Sequence, residues 1–135
     1  MPVELSNVPG RAEPQGFVHV GVTTGSRTVY VAGQVSQDAE GATVAKGDLA
    51  GQTEQALLNV VGALESVGAT YDDVAKLTLY LVDWEPSKIE GIVAGSAAAA
   101  GKLGAGPLKP AMLIGVAAVF DPDYLIEIDA TAVLD

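Results

Sequence analysis

The sequence predicts an α+β domain, a mixed and mainly antiparallel sheet with two helices on one face, and three observations predict it. Two β-branched runs come early, FVHVGV (17–22) and RTVYVAGQV (27–35). Residues 48–68 then switch to helical period. Three more strand-like segments follow, interrupted by one Ala/Gly-rich helical stretch. The order reads β-β-α-β-α-β-β, with no internal linker and no obvious repeat.

Residues 1–14 hold prolines and no periodicity, and read as an N-terminal arm of a single 1–135 domain. Thr-Thr-Gly-Ser between the first two strands suits an antiparallel hairpin. SQDAEGA (36–42) is turn chemistry. From Asp48 to Gly68, Leu49, Thr53, Ala56, Leu57, Val60, Val61 and Leu64 share one stripe. Asp48 is placed to cap this helix and Gly68 to end it. Gln52 and Asn59, on its other faces, suit hydrogen bonds from helix to sheet. VAKLTLYLVD (74–83) alternates as a strand. A second helix is expected from Ser87 to about Lys102; its Gly and Ala content means it is either packed tightly or frayed. Pro107 and Pro110 fall in the loop before a final hairpin, 111–119 and 125–133. Its turn, Asp121-Pro122-Asp123, is expected to lie under Phe120 and Tyr124.

The totals narrow the function. The chain has 17 acidic and 7 basic residues, a net charge of -10. Such a surface repels phosphate backbones, so nucleic-acid and anionic-membrane binding are not expected. No cysteine is present, which excludes disulfides, thiolate metal sites and a Cys nucleophile. With one histidine besides, no metal site is expected. No signal peptide or membrane-length apolar run stands out, and a cytoplasmic location is expected. A sheet with helices on one side leaves its other face to bury, often against copies of itself.

The stretch from Val29 to Asp83 resembles the Rid family (reactive intermediate deaminase, also called YjgF). A strand ends in G-Q at Gly33-Gln34, a turn carries Gly41, Q-T-x-x-A-L-x-N opens on Gln52, and a strand closes on Asp83. P-A at Pro110-Ala111 and IEI-x-A at 126–130 continue the likeness, which covers 16–133. The resemblance implies a chorismate-mutase-like fold and a homotrimer with small-molecule pockets between subunits. It also implies hydrolysis of enamines and imines without cofactor or metal. In the family an arginine after Pro-Ala holds a substrate carboxylate, and a carboxylate in the last strand positions or activates water.

Carried over residue by residue, Glu127 matches the family glutamate, and Gly33 and Gln34 match the Gly-Gln pair. Met112 stands at the arginine position, Ala32 at that of a serine, and Phe17 at that of a tyrosine. Arginine to methionine removes a fixed cation and supplies a flexible apolar wall, disfavouring the standard 2-aminoacrylate reaction and favouring an uncharged or more apolar ligand. Glu127 either points to solvent, opposite Ile126 and Ile128, or enters a pocket as acid or base. His19 shares a face with Phe17 and is either a surface residue or part of the pocket rim. A His19/Glu127 acid–base pair is the sharpest mechanism this reading offers. Trp84 reads as a core or interface aromatic, or as a pocket wall. Two functions remain open: a divergent enzyme acting on a small imine, enamine or carbonyl compound, and a non-catalytic metabolite-binding module.

Overall fold

The computed structural model describes residues 3–104 and 108–135. Met1 and Pro2 of the arm and Pro107 of the loop lie outside the described residues. Two short strands, β1 (Val3–Ser6) and β2 (Val20–Thr23), pair antiparallel as a separate ribbon. The main sheet holds β3 (Arg27–Gln34), β4 (Val74–Val82), β5 (Ala111–Val116) and β6 (Ile126–Leu134), in the order β3-β6-β4-β5. Strand β6 runs antiparallel to both of its neighbours, whereas β4 and β5 are parallel. Helix α1 (Leu49–Glu65) links β3 to β4 and helix α2 (Ile89–Leu103) links β4 to β5.

Neither expected hairpin forms. Strand β2 pairs with β1 and not with β3, so the arm is a strand partner, and its Val3 is buried. Strands β5 and β6 flank β4 instead of pairing with each other. The physical reason is burial. Alternate residues Ile126, Ile128, Ala130 and Ala132 of β6 all lie in the core, and a strand this apolar gains most from a place between two others. Chain 117–125 must then cross over the end of β4. Tyr124 is buried there, its hydroxyl donating to Gln37 Oε1 at 3.3 Å, but Phe120 is 97% exposed and covers nothing.

Helix α1 forms as its pattern demands. The Asp48 side chain accepts from the Gly51 amide, and Gly68, at φ +82°, takes the left-handed turn that follows the helix. Gln52 is fully buried: its Nε2 donates to the Asp123 carbonyl and its Oε1 accepts from the Leu125 amide, each at 2.9 Å. Asn59 Nδ2 donates to the Val35 and Gln37 carbonyls. Both amides tie α1 to loops that open beside the sheet. Helix α2 is packed tightly, not frayed: a Cβ on Gly91 would press on Leu49, and one on Gly95 would overlap the Ala50 carbonyl.

The core lies between sheet and helices, where Val31, Leu77, Leu81 and the β6 residues meet Ala56, Val60, Leu64 and Ile92. The residues of opposite phase form the other face. In register across the strands these are Tyr30–Thr131–Lys76, Asp129–Thr78–Met112 and Glu127–Tyr80–Ile114. Tyr30 is 80% exposed and Met112 45%.

Candidate functional site

A depression of about 550 Å³ opens where the β2 segment meets β4 and β5, lined by Phe17, His19, Thr23, Lys76, Pro110, Met112 and their neighbours. Backbone pairing assembles it. The Val18 amide donates to the Lys109 carbonyl at 3.2 Å, and the Leu77 amide to the Pro110 carbonyl at 3.0 Å. Residues 17–19 therefore run beside 109–110, next to the start of β4. Phe17 and His19, on either side of Val18, meet edge-on with centroids 6.0 Å apart, as strand alternation predicts.

His19 is held by the arm. Its Nδ1 accepts from the Val8 amide at 3.0 Å, and its own amide donates to Asn7 Oδ1 at 3.0 Å. A nitrogen that accepts a backbone N–H carries no proton, so the ring proton of this tautomer sits on Nε2. In that state His19 offers a neutral hydrogen-bond donor, not a base.

Next in sequence to Pro110, Lys109 is buried, with Nζ donating to the Asp72 carbonyl at 3.1 Å and lying 5.2 Å from the Tyr71 ring centroid. Burial lowers the Lys109 pKa, against the opposing pull of Asp72 and Asp73, while burial raises that of Tyr71. The signs give a test. A Tyr71 phenol whose folded pKa exceeds its ordinary 10.0 stabilises the fold below that value and loses the contribution as pH rises through it. Tyr71→Phe removes the loss. Its stability relative to wild type is expected to rise between about pH 8 and pH 10.5, read by urea unfolding at each pH. A difference that stays flat would mean that Tyr71 is not desolvated.

Glu127 lies elsewhere on the same sheet face. It is half-buried, paired in register with Tyr80, and seated over the backbone of Gly33, where any Cβ would overlap its carboxylate. This explains Gly33: with Glu127 in this position, the strand lies too close to its carboxylate to carry a Cβ. The ladder between β3 and β6 also shifts register between Val31 and Gln34. Ala32 is exposed there, and its carbonyl accepts from Gln34 Nε2 at 3.1 Å. Gln34 borders a different hollow with Gln37, Gln55 and Asn59.

The predicted residues thus fall into two groups. Phe17, His19 and Met112 line one depression; Glu127, Ala32, Gly33 and Gln34 cluster across the sheet. Within one chain His19 and Glu127 do not share the depression. Trp84 joins neither group, since it packs on Gly115, whose side of β5 is opposite to that of Met112. Opposite Met112 along the row stands Thr78 and then Asp129, not Glu127.

Sequence reasoning missed Lys76. Alternation within VAKLTLY places it on the open face, but only the position of 17–19 beside β4 brings it to His19 and Met112. Among the described residues, no group of three or more acidic or His side chains could hold a metal, and no helix is long and apolar enough to cross a membrane.

Comparison with known proteins extends this geometry. The model of the family described as Endoribonuclease L-PSP matches residues 11–134. A RutC family protein of Pyrococcus horikoshii is 33% identical over 105 residues, 77% of either chain. The crystal structure of YyfB from Yersinia pestis, a protein of unknown function of the Rid family, superposes with a TM-score of 0.86. Its identity is 37%, over 99% of this chain and 100% of that one. Human 2-iminobutanoate/2-iminopropanoate deaminase is 33% identical over 57 residues, a match spanning only 42% of each chain.

Proposed function

The chain belongs to the Endoribonuclease L-PSP, or Rid, family, and from that premise we propose that it is a cofactor-independent hydrolase of small imines, enamines or related carbonyl compounds. The reading rests on Glu127. Its carboxylate sits over Gly33, on the sheet face that the helices leave uncovered, with Tyr80 alongside. A relative named for deamination of 2-iminobutanoate and 2-iminopropanoate supports the reaction class.

In that reaction water adds to the imine carbon. Glu127 takes a proton from the attacking water and passes it to the nitrogen; it then relays the carbinolamine's hydroxyl proton to the amino group, so that the C–N bond breaks, ammonia leaves and the carbonyl forms. No redox partner is needed. The working unit of the proposal is a homotrimer, with the open face carrying Tyr30, Ile114 and Met112 turned toward a second copy and the ligand pocket between subunits. Light scattering is then expected to give three times the 13.7 kDa chain mass.

A second reading, a non-catalytic metabolite-binding module on the same scaffold, is favoured by one observation. The depression that holds Phe17, His19 and Met112 contains no carboxylate. One assay separates the two: hydrolysis of 2-aminoacrylate, generated in situ by a dehydratase, by wild type, Met112→Arg and Glu127→Ala. Wild-type turnover that Glu127→Ala abolishes supports the enzyme, and turnover that appears only in Met112→Arg means the substrate has changed on an intact scaffold. Silence of all three, with folding intact, gives the binding module precedence.

A further inference from the structure

We infer that Tyr80 is the proton donor of the hydrolytic site: its phenol delivers to the imine nitrogen a proton that Glu127 replaces with the one it takes from water. The inference rests on the hydrolase reading above and assigns that site a second catalytic group.

Three observations carry it. The first is register. Tyr80 of β4 stands across from Glu127 of β6 in the antiparallel pair, and both belong to the sheet face that the helices leave uncovered. Directly opposed residues hold their Cβ atoms about 5 Å apart. The second is accessibility. Both residues are half-buried, and among the described residues neither the Glu127 carboxylate nor the Tyr80 hydroxyl makes a hydrogen bond or ion pair. The Tyr124 hydroxyl, by contrast, is spent on Gln37. No buried side-chain oxygen among the described residues lacks a partner, so these two unpartnered groups open onto the face. A packed ring with an unspent hydroxyl is a donor available to a substrate.

The third observation is the lean of Glu127. Its carboxylate lies over Gly33, on the β3 side, where glycine leaves room. Strand β6 runs between β3 and β4, so this lean draws the carboxylate away from Tyr80. The pair does not close on itself, and the gap between acid and phenol is left for a small planar molecule. An imine there meets a carboxylate on its β3 side and an O–H on its β4 side. The titratable groups beside Tyr80 are Glu127 and, one row along, Asp129, both from β6; from β5 its neighbour is Ile114.

The protons balance. As water adds to the carbon, Glu127 takes its proton, Tyr80 gives one to the nitrogen, and the phenolate recovers a proton from Glu127. On collapse the carbinolamine hydroxyl loses its proton to Glu127 and Tyr80 protonates the amino group. The C–N bond breaks, ammonia leaves, and the same return transfer restores both side chains.

The test is ammonia release from 2-aminoacrylate, generated in situ at graded rates, by the full-length protein and its Tyr80→Phe variant between about pH 6.5 and pH 9. Thermal melting confirms that the variant folds. At the alkaline end Tyr80→Phe is expected to lower kcat roughly 10²-fold with KM nearly unchanged. Toward the acid end solvent protonates the nitrogen itself, so the deficit is expected to shrink. A purely structural role for Tyr80 would give a deficit that does not change with pH, and that result overturns the assignment. Wild-type turnover that Glu127→Ala abolishes but Tyr80→Phe leaves intact also sinks the phenol and spares the hydrolase. A wild type that turns over no imine at any pH overturns both.

Discussion

Gly33→Ala is expected to leave the fold intact and to abolish imine hydrolysis as deeply as loss of Glu127 itself, on the order of 10²–10³-fold in kcat. The reason is steric and local. A Cβ at position 33 would overlap the Glu127 carboxylate, with Cδ at 2.6 Å and Cγ at 2.9 Å. Gly33 is not in the left-handed region, so alanine can adopt its backbone, and the obstructing atoms belong to a flexible side chain. Glu127 therefore swings aside at a cost of about 1 kcal/mol, a rotamer change and not an unfolding. Stability is nearly kept while the position of the carboxylate is lost. Shortening the acid tests this: in the double variant Gly33→Ala/Glu127→Asp, the smaller side chain clears the new methyl and part of the turnover is expected to return. Wild-type turnover in Gly33→Ala would show that the carboxylate over Gly33 plays no part in the reaction.

The second large effect concerns folding. Gly95→Leu is expected to cost more than about 4 kcal/mol, enough to unfold a domain of ordinary stability. Gly95 faces α1, where a Cβ would overlap the Ala50 carbonyl, come within 2.6 Å of Thr53 Cβ and within 3.1 Å of the Glu54 amide. Two of those neighbours are backbone atoms of a helix and have no rotamer to change. The helices must separate, which opens the core around Ala56 and Ile92. Even Gly95→Ala is expected to destabilise, although alanine improves helix propensity by about 1 kcal/mol. Gly101 on the same helix supplies the control, because a Cβ there meets nothing within 4 Å. Gly101→Ala is expected to stabilise by roughly 0.5–1 kcal/mol. Urea unfolding of the pair decides the matter: equal shifts would mean that the close approach of the helices is not what Gly95 provides.

These two glycines mark how far the sequence can be read. Gly33 was legible as a close backbone approach or a bulge, the two common uses of glycine inside a strand, yet the side chain approaching it was not. Gly95 belongs to a stretch that read as packed or frayed, and only the partner helix decides between them. Lys76 could be placed on a face by alternation, but its neighbours at 17–19 and 112 come from other parts of the chain. The His19 tautomer depends on the Val8 amide, in an arm without periodicity.

What the sequence determined by itself was local: where both helices and the strands of the main sheet run, which residues of each face inward, the Asp48 cap, and the matching of Glu127, Gly33 and Met112 to a family pattern. Period, alternation and capping act over a few residues, so they are written where they are read. The tertiary structure alone decided who pairs with whom. It placed β6 between β3 and β4, gave β2 to the arm, and brought Lys76 to His19. Strand pairing is chosen by the total apolar area that the finished sheet buries, a sum over distant segments that no local stretch contains.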